Sequence, residues 1–243
     1  MRTATSRAYP GGPNRYPWAN TSSGHGYRLG PPGYARLVAV LTAAGYVVAA
    51  PSFPLADESV AGANVDRGDL PNQPDDLSFV IDQVLGASSD PSSPLAGRVD
   101  GSRVGAVGHS DGADTVLDLG YHPARVDPRV RAVVALAPDA VVAAGSATGG
   151  ATPLLLEHGD ADDVVPFSES RSVFANVTAR RYLLTLVGGG HLPPVAEATG
   201  WTPVLDATVT AFLDRYVAGR TVDDAAVTAP ASGSAVARID VAG

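Results

Sequence analysis

With 243 residues and 45% hydrophobic content the chain can bury one sizeable core, and nothing in its composition divides it into two packed units. Its formal net charge is −8 and arginine supplies every basic residue, so there is no basic stripe to neutralise a run of phosphates and nucleic acid is excluded from the expected partners. The absence of cysteine removes disulfides, thiolate metal sites and cysteine nucleophiles together.

Residues 1–24, rich in Gly, Pro, Ser and Asn, show neither alternation nor helical period and predict an irregular start, as of a chain cut short. Their arginines are not followed by the apolar core of an export signal, and no stretch approaches the ~20 apolar residues that span a bilayer. A mature secreted form would read the same way, so secretion is the expected localisation, with the cytoplasm as the alternative. From position 34 the pattern changes. Leu37, Val38, Val40 and Leu41 fall at near-helical spacing, and 46–50 is a short apolar run closed by Pro51, a helix feeding a buried strand. Leu77, Val80, Ile81 and Val84 mark a second helix over 75–85, with acidic residues in its first turn, where they suit the helix dipole.

The apolar runs 104–107, 130–136, 153–156 and 182–187 lack alternation, as expected of strands covered on both faces. Helical patterns at 113–121, 168–177 and 204–217 separate most of them. Strands alternating with helices at these lengths predict an α/β fold with a mostly parallel central sheet in one domain, 1–220. The remainder, 221–243, has no period and reads as a C-terminal tail, with 235–241 able to add an edge strand.

Gly108-His109-Ser110-Asp111-Gly112 has G-x-S-x-G spacing and lies where an apolar strand runs into a helix, the context that gives this motif meaning. A serine on so sharp a turn exposes its hydroxyl, but it becomes a nucleophile only beside a base that a third group orients. Otherwise it is a helix cap in a glycine-rich turn. An acid should follow a later strand, and Asp160, Asp162 and Asp163 compete after 153–156; their spacing does not fit a calcium loop. A base should follow the last core strand, and Gly188-Gly189-Gly190-His191 stands there. His191, on a glycine-rich loop, is badly placed for core packing, and the order Ser, Asp, His is that of α/β-hydrolases. His109 and His158 read as local packing or hydrogen-bonding residues.

On these motifs the chain resembles the α/β-hydrolase superfamily, from about His25 to Gly219, and in particular its dienelactone-hydrolase-like, chlorophyllase-like and cutinase-like polyester hydrolase branch. There the acid is the Asp four positions before Pro in Gly-x-x-Asp-x-x-x-Pro, which selects Asp162, with Asp160 and Asp163 as alternates. The resemblance implies a serine ester hydrolase with Ser110 as nucleophile, His191 as base and Asp162 orienting it, acting on small or polymeric esters without metal or organic cofactor. The backbone N–H of Asp111 is the expected first oxyanion donor. An early His-Gly pair supplies the second in this superfamily, which points to the N–H of Tyr27 in His25-Gly26-Tyr27. Rival readings are an acyltransferase on the same triad and a catalytically silent binding protein.

Two departures from the family pattern stand out. Members carry a strong apolar strand before His-Gly, where 17–24 is a poor one, and a pair of strands upstream for which there is no room. The polyester-hydrolase branch has Met after the nucleophile and a Trp soon after the next strand, forming an aromatic clamp; Asp111 and Asp139 stand here, so an aromatic polyester is not the favoured substrate. Oligomeric state is not legible.

Overall fold

The computed structural model describes residues 18–139, 151–192, 194 and 199–243. The part of the irregular start that covers 1–17 lies outside them. Among the described residues seven strands, β1 (Trp18–Gly24), β2 (Val47–Ala49), β3 (Val99–His109), β4 (Val130–Leu136), β5 (Leu154–Gly159), β6 (Arg181–Leu186) and β7 (Ala237–Ala242), form one sheet in the order β2-β1-β3-β4-β5-β6-β7. All neighbours run parallel except β7, which is antiparallel to β6. The helices are α1 (Ala35–Ala43), α2 (Glu58–Ala61), α3 (Gln73–Ser89), α4 (Asp111–Tyr121), α5 (Phe167–Asn176), α6 (Thr202–Tyr216) and α7 (Asp224–Thr228).

The unbroken apolar runs are explained by burial on both faces. Along β4, Ala132, Val134 and Leu136 enter one core cluster while Val133 and Ala135 enter the other, and β6 divides Tyr182, Leu184 and Leu186 from Leu183 in the same way. Leu37 and Leu41 of α1 and Leu205, Val209 and Phe212 of α6 cover the first face. Leu77 and Ile81 of α3, Val116 and Leu119 of α4 and Val173 of α5 cover the second. Burying such a side chain contributes on the order of 1.5–3 kcal/mol, so the two layers dominate the stability.

The strand order locates the site. From β1 the chain crosses by α1 on one face to β2, then returns by α3 on the opposite face to β3 on the other side of β1. Crossovers leaving in opposite directions open a crevice at the carboxyl ends of β1 and β3, where ligands bind in open α/β sheets. His25 follows β1 and Ser110 follows β3.

Two segments differ from their sequence reading. Residues 18–24 are not irregular but form β1, paired with β2 on one side and β3 on the other, with Thr21 opposite Val48 and Gly105. Two ladders of backbone hydrogen bonds fix this strand, and tertiary pairing overrides weak β-propensity. Nor is 221–243 a tail. It carries α7 and β7, with Leu184 of β6 opposite Ile239 and Val227 fully buried. The edge-strand option at 235–241 is the part of that reading which holds.

Candidate active site

Ser110 bridges β3 and α4 at φ 55° and ψ −126°. Such a backbone costs on the order of 1–3 kcal/mol and persists only where its surroundings impose it. They do so through two glycines: a Cβ on Gly108 would lie 2.0 Å from the Gly112 carbonyl oxygen, and one on Gly112 would lie 2.3 Å from that of Gly24. The Ser110 N–H donates to Leu136 O at 2.9 Å, and the Ser110 carbonyl accepts from Ala113 N–H at 2.7 Å. Arg28 and Ala137 also have positive φ, so all three non-glycine residues in that region among the described ones follow the carboxyl ends of β1, β3 and β4.

Asp162 lies beyond β5 and His191 beyond β6. The His191 Nδ1 to Asp162 Oδ2 distance is 2.7 Å, and Asp162 Oδ1 accepts the N–H groups of Val164 and Val165 at 2.8 and 2.9 Å. Burial alone would raise the Asp162 pKa; the Val165 and Val164 N–H groups and the His191 ring outweigh it and hold the carboxyl below its ordinary value. His158 stands on the far side of the acid. Its Nε2 donates to Val165 O at 3.0 Å and lies 3.1 Å from Asp162 Oδ2, while Nδ1 bonds Ser170 Oγ at 2.7 Å. Of the alternate acids, Asp160 accepts the Gly188 N–H at 2.7 Å and pairs with Arg238 at 3.1 Å, which ties the glycine loop to the sheet edge. Asp163 is exposed.

The turn after β1 lies against the serine, since a Cβ on Gly26 would fall 3.1 Å from Ser110 Cβ. His25 holds this turn: its Nε2 accepts the Phe53 N–H at 2.8 Å, so Nδ1 carries the proton and donates to Gly26 O at 3.1 Å. Tyr34, just before α1, accepts the Gly26 N–H at 2.8 Å and donates to His109 Nδ1 at 3.0 Å; His109 Nε2 then donates to His191 O at 2.9 Å. Complete burial, reinforced by the neighbouring His191, pushes the His109 pKa down to about 3, so the ring is neutral. One chain of hydrogen bonds thus links the 25–27 turn, the serine turn and the histidine loop. Among the described residues neither the Tyr27 nor the Asp111 N–H has a hydrogen-bond partner.

The Asp111 side chain is 4% exposed and its carboxylate is gripped by Arg67, with Nη2 2.7 Å and Nε 3.0 Å from Oδ1 and Nε 3.1 Å from Oδ2. Arg67 Nη2 also lies 2.7 Å from Asp139 Oδ2. Beside His191 opens a cavity of about 350 Å³ lined by Asp163, Val164, Leu192, Thr199 and Trp201. Val164 and Leu192 are exposed apolar side chains there. No group of three or more His, Asp or Glu residues with metal-holding geometry is found among the described residues.

Of the sequence-based site residues, Asp162 and His191 are joined directly at 2.7 Å, while Ser110 stands on the turn whose His109 bonds the His191 carbonyl and against which the Gly26 turn packs. Tyr34 and Arg67 escape sequence reasoning. Nothing in its aperiodic surroundings distinguishes Arg67 from the chain's other arginines, although two acids following strand ends at 111 and 139 signal the need for a cation.

A mostly parallel sheet with a switch point, a serine turn after the strand beside that point and flanking helices on both faces is an α/β-hydrolase. Against known families, the chain matches the PET hydrolase-like family, PETase, over residues 2–240, and it belongs to that family. Membership implies a hydrolase acting on esters. No curated protein matches the chain.

Proposed function

We propose that this protein is a serine ester hydrolase working through an acyl-serine intermediate. The observation that carries this reading is the 2.7 Å bond from His191 Nδ1 to an Asp162 carboxylate fixed by two N–H groups. It commits the proton to Nδ1 and leaves Nε2 as the base. Nε2 takes the Ser110 proton as Oγ forms a bond to the ester carbonyl carbon. The carbonyl oxygen, now negative, is held by the N–H groups of Tyr27 and Asp111, a pair in which each donor contributes ~3–4 kcal/mol. Collapse breaks the bond to the alcohol oxygen, which receives the proton from His191. Water, deprotonated by the same histidine, then attacks the acyl carbon; the bond to Ser110 Oγ breaks, Oγ takes the proton back from His191, and the acid leaves. No metal or organic cofactor enters the scheme.

The family description names PET, a polyester, and the apolar pair Val164 and Leu192 beside His191 suits docking of an apolar ester. Asp111 and Asp139, both paired with Arg67, stand where the polyester-hydrolase branch carries the Met and Trp of an aromatic clamp, so an aromatic polyester is not the favoured substrate. Secretion, the usual location for enzymes of this family, is the localisation taken here.

A fluorophosphonate probe should label the wild type and fail to label Ser110→Ala, and p-nitrophenyl acetate should be turned over only by the former. Unlabelled, inactive wild type would sink the hydrolase in favour of a silent binding protein. Transfer of the acyl group to an added alcohol in preference to water would favour an acyltransferase.

A further inference from the structure

The residue after the nucleophile is an acid whose backbone N–H is the proposed oxyanion donor and whose carboxylate is almost wholly buried. At 4% exposure the Asp111 side chain cannot rely on solvent to screen its charge, and in a partly dry site a unit charge acts across several ångströms. The charge reaches the 25–27 turn as well, acting on both His25 and Tyr34. An oxyanion developing at the Asp111 N–H would meet that carboxylate at close range. Left bare, it would oppose the charge that the donors stabilise.

Arg67 is built to cancel it. It opens the 3-10 helix Arg67–Asn72, whose Asp66 cap accepts the Gly68 N–H at 2.8 Å. The far end of this segment is fixed by the buried bond from Thr115 Oγ1 of α4 to Gln73 Oε1 at 2.9 Å. Between those anchors the guanidinium reaches both Asp111 oxygens, a fork that an ammonium cannot reproduce. Asp139, after β4, holds the outer edge of the fork and keeps it on Asp111.

We propose that Arg67 is a positioning residue for hydrolysis, acting through Asp111: it neutralises the buried carboxylate next to Ser110, so the Asp111 N–H can stabilise an oxyanion without a bare charge behind it. This rests on the hydrolase reading above. The dependence is on charge and geometry, so the effect belongs in kcat and not in ground-state binding of a neutral ester.

The experiment uses the full chain, with kcat and KM on p-nitrophenyl acetate, fluorophosphonate labelling and Tm measured for wild type, Arg67→Ala, Arg67→Lys, Asp111→Asn and Arg67→Ala/Asp111→Asn. Arg67→Ala should lose about 10–100-fold in kcat with KM within about threefold of wild type, and Arg67→Lys should fall between them. Adding Asp111→Asn to Arg67→Ala should restore at least tenfold, because it removes the charge that needs cancelling.

Wild-type kcat in Arg67→Ala, or a double variant no faster than Arg67→Ala, would overturn the proposal while leaving the hydrolase intact. If Arg67→Ala fails to fold, the comparison of Arg67→Lys with its Asp111→Asn double decides in the same way. A wild type that neither labels nor turns over ester would instead overturn the hydrolase reading, and this one with it.

Discussion

Asp162 divides its two oxygens between tasks. Oδ1 is committed to two N–H groups, so an asparagine could keep those bonds only by turning its NH₂ toward His191 Nδ1. The histidine would then be pushed into the wrong tautomer, and Asp162→Asn is expected to lose about 10³–10⁴-fold in kcat. Asp160→Asn keeps an oxygen for the Gly188 N–H and should stay within about tenfold of wild type. A dead Asp160→Asn beside an active Asp162→Asn would move the acid to 160. Glu157 shows the opposite electrostatics. It is fully buried on β5 with neither oxygen hydrogen-bonded among the described residues, and burial, with the Asp162 charge adding, raises its pKa to about 8. An unfolded glutamate ionises near ~4.3, so between there and about 8 the unfolded chain has released a proton that the folded chain keeps. The folded state binds more protons, and stability therefore falls as pH rises through that window. Glu157→Leu should raise Tm, with a gain larger at pH 8 than at pH 5; equal gains would show that Glu157 does not hold its proton.

Which elements could be read from sequence follows from what fixes each one. Strands β4, β5 and β6 and helices α4, α5 and α6 carry their apolar pattern in their own side chains, so residues such as Val133, Leu155 and Phe212 announce them. Strand β1 does not, because its ladders to β2 and β3 hold a backbone that Asn20, Thr21, Ser22 and Ser23 would not extend by themselves. The candidate nucleophile, acid and base were legible for a related reason: each follows a recognisable strand, with glycines at the close approaches. The hydrogen bonds that join the loops were not, since Tyr34 and His109 are 75 positions apart. That link has a measurable consequence. Tyr34→Phe keeps the ring but leaves the buried Gly26 N–H and His109 Nδ1 without their partner, which should cost about 1–3 kcal/mol in stability. Because the Gly26 N–H precedes the proposed oxyanion donor at Tyr27, kcat on a small ester should also drop, by about tenfold. Loss of stability without loss of kcat, in urea titration and steady-state assays, would show that the turn holds its place without the tyrosine.

At the scale of the whole molecule, the sheet formed by the described residues has two edges, and they are protected differently. Strand β2 is only three residues long, a short edge that offers little to a second chain. At the other end β7 covers β6, and its exposed Arg238 and Asp240 put charges on the outer rim. Residues 221–243 are bound to the body by more than this ladder. Asp224 accepts from the Tyr182 hydroxyl, which also lies 2.9 Å from that of Tyr216, and the Val187 N–H donates to Val236 O at 2.9 Å. Arg238 reaches Asp160, whose other oxygen holds Gly188 three residues before His191. Deleting 235–243 would therefore uncover the β6 edge and slacken the loop that carries His191 in one step. The deleted form should melt at least 5 °C lower, since a domain of this size shifts Tm by roughly 2–4 °C per kcal/mol and a six-residue ladder is worth several. Its exposed edge should make it associate at concentrations where the full chain does not, as sedimentation would show. At temperatures well below its own Tm it should still react with a fluorophosphonate, because Ser110 is set by β3, Gly108 and Gly112, while kcat falls with the looser His191. An aperiodic tail would predict none of this, so unchanged Tm, association state and kcat after the deletion would show that β7 contributes nothing beyond its place in the sheet.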